Sequence, residues 1–181
     1  MPIDGHTVTD VLARLGGALA KPTALCLIGS GPGIATGQQD RQTPDLDVWH
    51  AKSDYDAGEL ARACRELGIV FDPRGEIDPD QIYIQIIRPG VVRLPNEFDP
   101  EVIGRFGHLT VLMPPPEVIA AAKLVRGSEV DVEDVVWWVK QRGLDAARIQ
   151  TVIDELPNPH DRETAAENIV YVQLVMGKNW T

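Results

Sequence analysis

Asp45 and Asp47 are the residues of this chain whose type and spacing best suit chemistry on a charged substrate. They lie in the segment DLDVW, residues 45–49, where polar and apolar residues alternate as on a half-buried strand. That alternation predicts both carboxylates on one face, with Leu46 and Val48 on the other. Two like charges this close repel each other unless a cation lies between them, and carboxylates are the ligands that Mg²⁺ prefers. The pair therefore predicts a site for a divalent cation, Mg²⁺ or Mn²⁺.

A glycine-rich segment, GSGPG at residues 29–33, lies upstream of the aspartates. It follows the apolar run 24–28, which has the length of a buried strand. Glycines permit backbone angles and close approaches that a Cβ forbids, and the N–H groups of such a turn bind phosphate. The segment lacks both the Lys-Ser/Thr ending of a P-loop and the glycine spacing of a dinucleotide site. Its candidate phosphate-binding residues are Gly29, Ser30, Gly31 and Gly33.

Arg41 and Thr43 complete a longer motif, Arg-x-Thr-x-Asp-Leu-Asp. Placed after a hydrophobic strand and Gly29-Ser30, this motif resembles the signature of the nucleotidyltransferase superfamily, especially the minimal nucleotidyltransferases and the AbiEii-like toxin enzymes. Arg41 and Thr43 are then candidate nucleotide-binding residues. The alternative interpretation is a surface turn followed by an edge strand with solvated acids.

The resemblance implies both a fold and an activity. The fold is α/β (α+β), a mixed β-sheet flanked by helices and followed by a helical C-terminal part. The activity is the Mg²⁺-dependent transfer of a nucleoside monophosphate from an NTP to an RNA or protein acceptor. The resemblance also implies a toxin–antitoxin or abortive-infection role, with nucleotide, a tRNA end or a cognate antitoxin or toxin protein as partners.

The same resemblance indicates three candidate residues in the second half of the chain. AbiEii-like enzymes carry a lysine on a helix after the sheet and then a helix with an Asp-x-x-Asp-like pattern, matched here by Lys123 and by Asp131 with Asp134. A lysine there would neutralise the departing pyrophosphate. The alternative is a lysine whose stem covers apolar surface while its ammonium stays in water. Asp131 is equally well interpreted as a helix N-terminal acid, which leaves Asp134 as the better candidate for a catalytic or structural contact.

The third carboxylate that this superfamily carries on a later strand is missing. In the alternating run 82–87 the polar residue at the expected position is Gln85. An amide oxygen can bind a hard cation, but it adds no negative charge and cannot act as a general base. Glu76, Asp78 and Asp80 precede this strand and would substitute only if their loop folds back. Two functions therefore stay open: an active transferase, or a degenerate module that binds nucleotide or a partner protein without turnover.

The composition of the chain limits the kinds of binding partner that we expect. The chain has 181 residues and a net charge of -10, with no basic tract, which disfavours an extensive nucleic-acid surface but permits contact with one RNA end. No apolar run reaches the length of a membrane span, and the first residues lack the features of a signal peptide. These observations predict a cytoplasmic protein without a membrane partner, in which Cys26 and Cys64 are buried free thiols.

The pattern of elements predicts two parts, an α/β core at residues 1–113 and a helical part at 114–181, separated by the proline run 114–116. In the core we expect helices over 8–16 and 54–67, strands over 24–28, 45–49, 69–71 and 108–113, a hairpin of strands 82–87 and 91–94, and a short helix over 100–106. In the helical part we expect helices over 117–126, 131–142, 144–156 and 161–176.

Overall fold

The structure is a computed structural model that describes residues 5–38, 40–43, 45–75, 78, 81–95, 97–177 and 180. Its helices are α1 (Gly5–Ala18), α2 (Gly31–Ala35), α3 (Ala57–Glu66), α4 (Pro116–Arg126), α5 (Glu129–Arg142), α6 (Ala146–Asp154) and α7 (Pro159–Met176). Its strands are β1 (Thr23–Cys26), β2 (Asp45–Trp49), β3 (Val70–Phe71), β4 (Tyr83–Ile87), β5 (Glu101–Phe106) and β6 (Leu109–Met113). The mixed α/β class expected from the sequence is confirmed.

The chain divides into two compact units. The first comprises the described residues of Met1–Pro89 and Pro100–Met113, and the second those of Gly90–Asp99 and Pro114–Thr181. All six strands lie in the first unit, whereas α4 to α7 lie in the second. None of the helices in the described ranges combines the length and the apolar character needed to cross a bilayer.

The first unit contains two three-stranded sheets. In one sheet β6 lies between β1, which runs parallel to it, and β5, which runs antiparallel. In the other, β4 lies between β2 and β3 and runs parallel to both. An isolated bridge between Leu27 and Val48 connects the chain after β1 to β2. This bridge brings the glycine-rich segment to the strand that carries the aspartates.

Alternation explains how the β2–β4 sheet is buried on one face. Leu46 and Val48 of β2 and Ile84 and Ile86 of β4 are buried in one apolar cluster, which also takes in residues of α1 and α3. Gly16, inside α1, lies so close to the carbonyl of Phe106 that a Cβ would overlap it. A glycine within the helix therefore lets α1 approach the end of β5.

Two predicted elements are wrong. The expected hairpin does not form: β4 pairs with β2 along its length and with β3 at Tyr83 and Ile84. Val91–Leu94 forms no strand. The expected helix over 100–106 is instead β5, which pairs antiparallel with β6 across Gly107 and contains an irregularity between Val102 and Gly104. Pairing with a strand that follows in the sequence decides this segment, although Asp99-Pro100 is a common helix start.

The helices of the second unit occur where the sequence predicts them, and their ends have identifiable caps. The side chains of Ser128, Asp145 and Asn158 accept hydrogen bonds from the first backbone N–H groups of α5, α6 and α7. Gly127 and Gly143 end α4 and α5 in the left-handed conformation. Cys26 and Cys64, in the first unit, are buried free thiols as predicted, and burial raises the pKa of each to about 12.

Candidate functional site

The two aspartates of β2 lie on the same, half-buried face of the strand. The parallel register with β4 places Tyr83 beside Asp45 and Gln85 beside Asp47, and both of these side chains are also half-buried. The opposite face of both strands is apolar and buried. Asp45, Asp47, Tyr83 and Gln85 thus share the polar part of one face, which ends at the buried Trp49 and Ile87.

Asp45 is oriented by two hydroxyl groups. The Thr43 hydroxyl donates a hydrogen bond to Oδ1 of Asp45 at 2.7 Å, and the Tyr83 hydroxyl donates one to Oδ2 at 3.2 Å. Burial raises the pKa of Tyr83 to about 12, with the charges of Asp45 and Asp47 acting in the same direction. The phenol therefore stays protonated at neutral pH and remains a donor to the carboxylate. The alternation of residues 82–87 puts Tyr83 on the same face as Gln85, but nothing in the sequence indicates its bond to Asp45.

Asp47 lies against the glycine-rich segment. Its backbone carbonyl accepts a hydrogen bond from the Ile28 N–H at 2.9 Å. Gly29 has a φ of +69°, and a Cβ at this position would lie 2.8 Å from Oδ2 of Asp47. Both the backbone angle and the close approach require glycine. The first glycine of the motif thus makes room for a carboxylate oxygen.

Ser30 and Arg41 are in contact. An Nη2 hydrogen of Arg41 is donated to the Ser30 hydroxyl at 3.0 Å, and Nη1 of Arg41 donates to the Gln42 carbonyl at 3.1 Å. A guanidinium held beside a Gly-Ser turn supplies charge and donors that suit phosphate oxygens. Gly31 and Gly33 lie within α2 and are buried, and a Cβ on Gly33 would overlap the Gln38 side chain. These two glycines therefore contribute to packing in this structure.

The contacts link the motif residues of the first unit into one site. Gly29 touches Asp47, Ser30 touches Arg41, and Thr43 touches Asp45. Gln85 lies at the expected third-acid position, directly beside Asp47 in the register. Among the described residues no group of three or more His, Cys, Asp or Glu side chains could share a metal ion, while Glu76 and Asp80 lie outside those residues. The donor types fit a hard cation, but the carboxylate count is one short of the superfamily pattern.

Lys123 and Asp134 lie in the second unit and are buried, with exposed fractions of 4% and 1%. The Lys123 ammonium lies 2.5 Å from Oδ2 of Asp134 and 3.5 Å from Oδ1 of Asp131. Asp131 also accepts hydrogen bonds from Arg126 at 2.5 Å and from the Ser128 hydroxyl at 2.7 Å. Burial alone would raise the pKa of Asp131, but these hydrogen bonds and the Lys123 charge bring it below its usual value. The Lys123 ammonium is paired with the carboxylates of Asp134 and Asp131, which favours a structural role for this lysine.

Comparison with known proteins supports the fold. No family model and no curated protein sequence matches the chain. Among solved structures, the chain is similar to that described as an antigenic nucleotidyltransferase-like protein from Paracoccidioides brasiliensis, with a TM-score of 0.56 and 12% sequence identity. The similarity covers 97% of this chain and 93% of the other. At this identity it establishes architecture, and the chain accordingly has a nucleotidyltransferase-like fold.

Proposed function

We propose that this protein binds a metal–NTP complex on the polar face of β2 and transfers the nucleoside monophosphate to an acceptor hydroxyl. The observation that carries the proposal is the position of Asp45 and Asp47, side by side on one face of β2 and next to Gly29-Ser30, in a nucleotidyltransferase-like fold. A half-buried pair of carboxylates with a donor-rich turn beside it suits a divalent cation and a polyphosphate together.

The chemistry of each side chain in the site indicates its proposed role. Asp45 and Asp47 would hold Mg²⁺ or Mn²⁺, and Thr43 keeps the Asp45 carboxylate in position through its 2.7 Å hydrogen bond. A bound cation would supply Lewis acidity at the phosphates and lower the pKa of the acceptor hydroxyl. Arg41, with Ser30 and the backbone of the turn, would bind the phosphate oxygens.

The transfer forms one bond and breaks one. The acceptor oxygen bonds to the α-phosphorus, the bridging bond between the α- and β-phosphates breaks, and pyrophosphate leaves with the electron pair. The hydroxyl proton passes to a carboxylate or to water, since the Gln85 amide has no basic site. Arg41 offsets charge that develops on the phosphate oxygens.

We expect the acceptor to contact only a small area of the protein. A net charge of -10 without a basic tract disfavours a long RNA or DNA footprint. We therefore propose one RNA end, such as that of a tRNA, or a protein hydroxyl as acceptor. The toxin–antitoxin or abortive-infection setting is part of the same proposal and rests on the motif resemblance.

A second candidate function is favoured by Gln85. An amide beside Asp47 leaves the described site without a third carboxylate, as in a module that binds nucleotide without turnover. The two candidates differ in what a restored carboxylate does. If the fold is a degenerate enzyme, Gln85→Glu creates or raises transfer; if the wild type is active, transfer occurs without it.

The deciding experiment incubates the protein with each α-labelled NTP, Mg²⁺ or Mn²⁺, total RNA and a protein extract. For an enzyme we expect label on an RNA or protein, lost in Asp47→Asn and retained in Asp10→Asn, which removes an exposed carboxylate of α1. Nucleotide binding without label transfer, followed by transfer in Gln85→Glu, would establish the second candidate. Absence of both binding and transfer would refute the two proposals together.

A further inference from the structure

The second unit exposes an apolar surface that its own fold does not cover. Large exposed hydrophobic side chains cluster on α5 and α7: Val130, Val170, Tyr171, Leu174 and Val175. Tyr171 is 58% exposed, Leu174 73% and Val175 63%, and their i, i+3, i+4 spacing places them on one face of α7. Single exposed hydrophobic residues are ordinary, but a contiguous group marks an interaction surface.

Three of these residues, Tyr171, Leu174 and Val175, line a groove of about 630 Å³. Its walls come from the first turns of α5 and the second half of α7, and its lining residues are Gly127, Glu129, Val132, Glu133, Asn168, Tyr171, Leu174 and Val175. Asn168 is fixed by a 2.8 Å hydrogen bond from its side-chain amide to the Leu124 carbonyl. Gly127 allows this approach, because a Cβ there would overlap the Asn168 amide. The Asn168 side chain in the groove is therefore held in one position by its hydrogen bond and by its contact with Gly127.

The charge of the groove has one sign. Glu129 and Glu133 are its charged lining residues, and they are exposed and one helical turn apart on α5. Neither forms an ion pair with another residue in the described ranges. An apolar wall opposite an acidic wall is complementary to a ligand with apolar side chains on one face and cationic side chains beside them.

We propose that this groove docks an amphipathic helix of a partner protein, with apolar residues facing α7 and Lys or Arg facing Glu129 and Glu133. The exposed apolar side chains of α7 form one wall of an open groove, which is the kind of surface that binds the apolar face of an amphipathic helix. A second copy in a two-fold contact would bring this acidic surface against itself, in a chain of net charge -10. An anionic membrane surface would be repelled by the same glutamates. The proposal concerns the second unit alone and does not depend on nucleotide transfer.

The test selects peptides of about 16 residues, the length of a helix of roughly 24 Å, from a random display library on the immobilised 181-residue protein. We expect enrichment of peptides with apolar residues at i, i+3, i+4 and Lys or Arg alongside. A fluorescein-labelled selected peptide should bind Leu174→Ser about tenfold or more weakly. Val102→Ser, which removes an exposed valine of β5 in the first unit, should bind like the wild type.

The second part of the test exchanges the charges of the groove and of the peptide. The double variant Glu129→Lys with Glu133→Lys should also bind about tenfold more weakly, and binding should return when the peptide's Lys and Arg are replaced by Glu. The proposal is overturned if selected peptides are acidic, if none are enriched, or if Leu174→Ser leaves binding unchanged. It is likewise overturned if Leu174→Ser dissociates a dimer in sedimentation, or if the groove binds phosphatidylglycerol vesicles.

Discussion

Two pairs of neighbouring aspartates, one on β2 and one on α5, are held in opposite ways. Asp45 and Asp47 on β2 are half-buried, and the Asp45 carboxylate receives hydrogen bonds from two neutral hydroxyls. Asp131 and Asp134 on α5 are buried and lie against the Lys123 ammonium, with Arg126 also on Asp131. The Asp45 carboxylate is thus oriented by neutral donors, whereas Asp131 and Asp134 are compensated by the chain's own cations.

This difference distinguishes the proposed metal–NTP site on β2 from the structural cluster on α4 and α5. Removing carboxylates from water costs free energy unless cations and hydrogen bonds compensate them. Lys123 and Arg126 of α4 compensate the buried carboxylates of α5 in this way. On β2 the carboxylates retain solvent access and lie beside a glycine whose missing side chain leaves room at Asp47. Neutral hydroxyls orient the Asp45 carboxylate without cancelling its charge. The same residue type therefore supports stability in one unit, and we propose that it binds a ligand in the other.

The largest expected effect comes from breaking the buried cluster. Lys123→Met leaves Asp134 without its 2.5 Å partner and should lower the free energy of unfolding by about 3–5 kcal/mol. Urea unfolding followed by circular dichroism measures it. Lys140→Met, at an exposed position of α5, should change stability by less than about 0.5 kcal/mol.

The same variant can contradict the comparison. If Lys123→Met unfolds like the wild type but loses activity or the stabilisation by metal–NTP, the lysine acts on substrate. The family-derived role of Lys123 at the pyrophosphate would then be correct, and the assignment of this cluster to stability would be wrong.

A smaller effect is expected at the glycine beside Asp47. Gly29→Ala places a Cβ in a left-handed conformation and against Oδ2 of Asp47, so stability should fall by about 1–2 kcal/mol and the carboxylate should be displaced. Gly68→Ala is the matched control, because Gly68 has a φ of +71° but no heavy atom within 4 Å of the added Cβ. Both variants should lose stability in denaturant unfolding.

Ligand binding separates these two glycine variants. Calorimetric titration with Mg²⁺·NTP should detect binding to Gly68→Ala and none to Gly29→Ala. Equal nucleotide affinities in the two proteins would show that the space beside Asp47 has no part in binding.

The smallest effect concerns Tyr83. Tyr83→Phe removes the 3.2 Å hydrogen bond to Asp45 and should cost about 0.5–1.5 kcal/mol at neutral pH. The folded-state pKa of Tyr83, about 12, lies above the ordinary value of 10.0, so this residue stabilises the protein fully below pH 10 and loses that contribution as the pH rises towards 12. Urea unfolding at about pH 8 and about pH 11 should show a smaller alkaline loss in Tyr83→Phe than in the wild type.

The outcome at Tyr83 is specific because the alkaline titration of Cys26 and Cys64 is common to both proteins. An identical alkaline loss in the two would mean that Tyr83 is not held protonated against Asp45.

The sequence predicted β2 correctly because the alternation of polar and apolar residues that defines it lies within the strand itself. The alternation of residues 45–49 specifies which side chains share a face, and β2 has these bounds. The helices of the second unit were found for the same reason, since their apolar stripes and capping residues are local. The motif order also indicated that Ser30, Arg41, Thr43 and the aspartates belong together.

What the sequence could not predict depends on partners distant along the chain. Val91–Leu94 has a strand-like composition, yet β4 pairs with β2 and β3, which precede it in the chain, and not with this segment. The role of Lys123 depends on whether carboxylates surround its ammonium, which the spacing to Asp131 and Asp134 permits but does not require. Tyr83 acquires its bond to Asp45 only through the parallel register of β2 and β4.

The central claim, that Asp45 and Asp47 bind a metal–NTP complex, is tested most directly by thermal melts of the wild type and Asp47→Asn with and without Mg²⁺ and each NTP. Without ligand, the variant should melt at the same or a slightly higher temperature, because one of two repelling charges is removed. Ligand at about 100 times its Kd should stabilise the wild type by about 2.7 kcal/mol and leave the variant unchanged. If no nucleotide shifts the wild-type melt even with Mn²⁺, or if Asp47→Asn responds as the wild type does, the claim is contradicted.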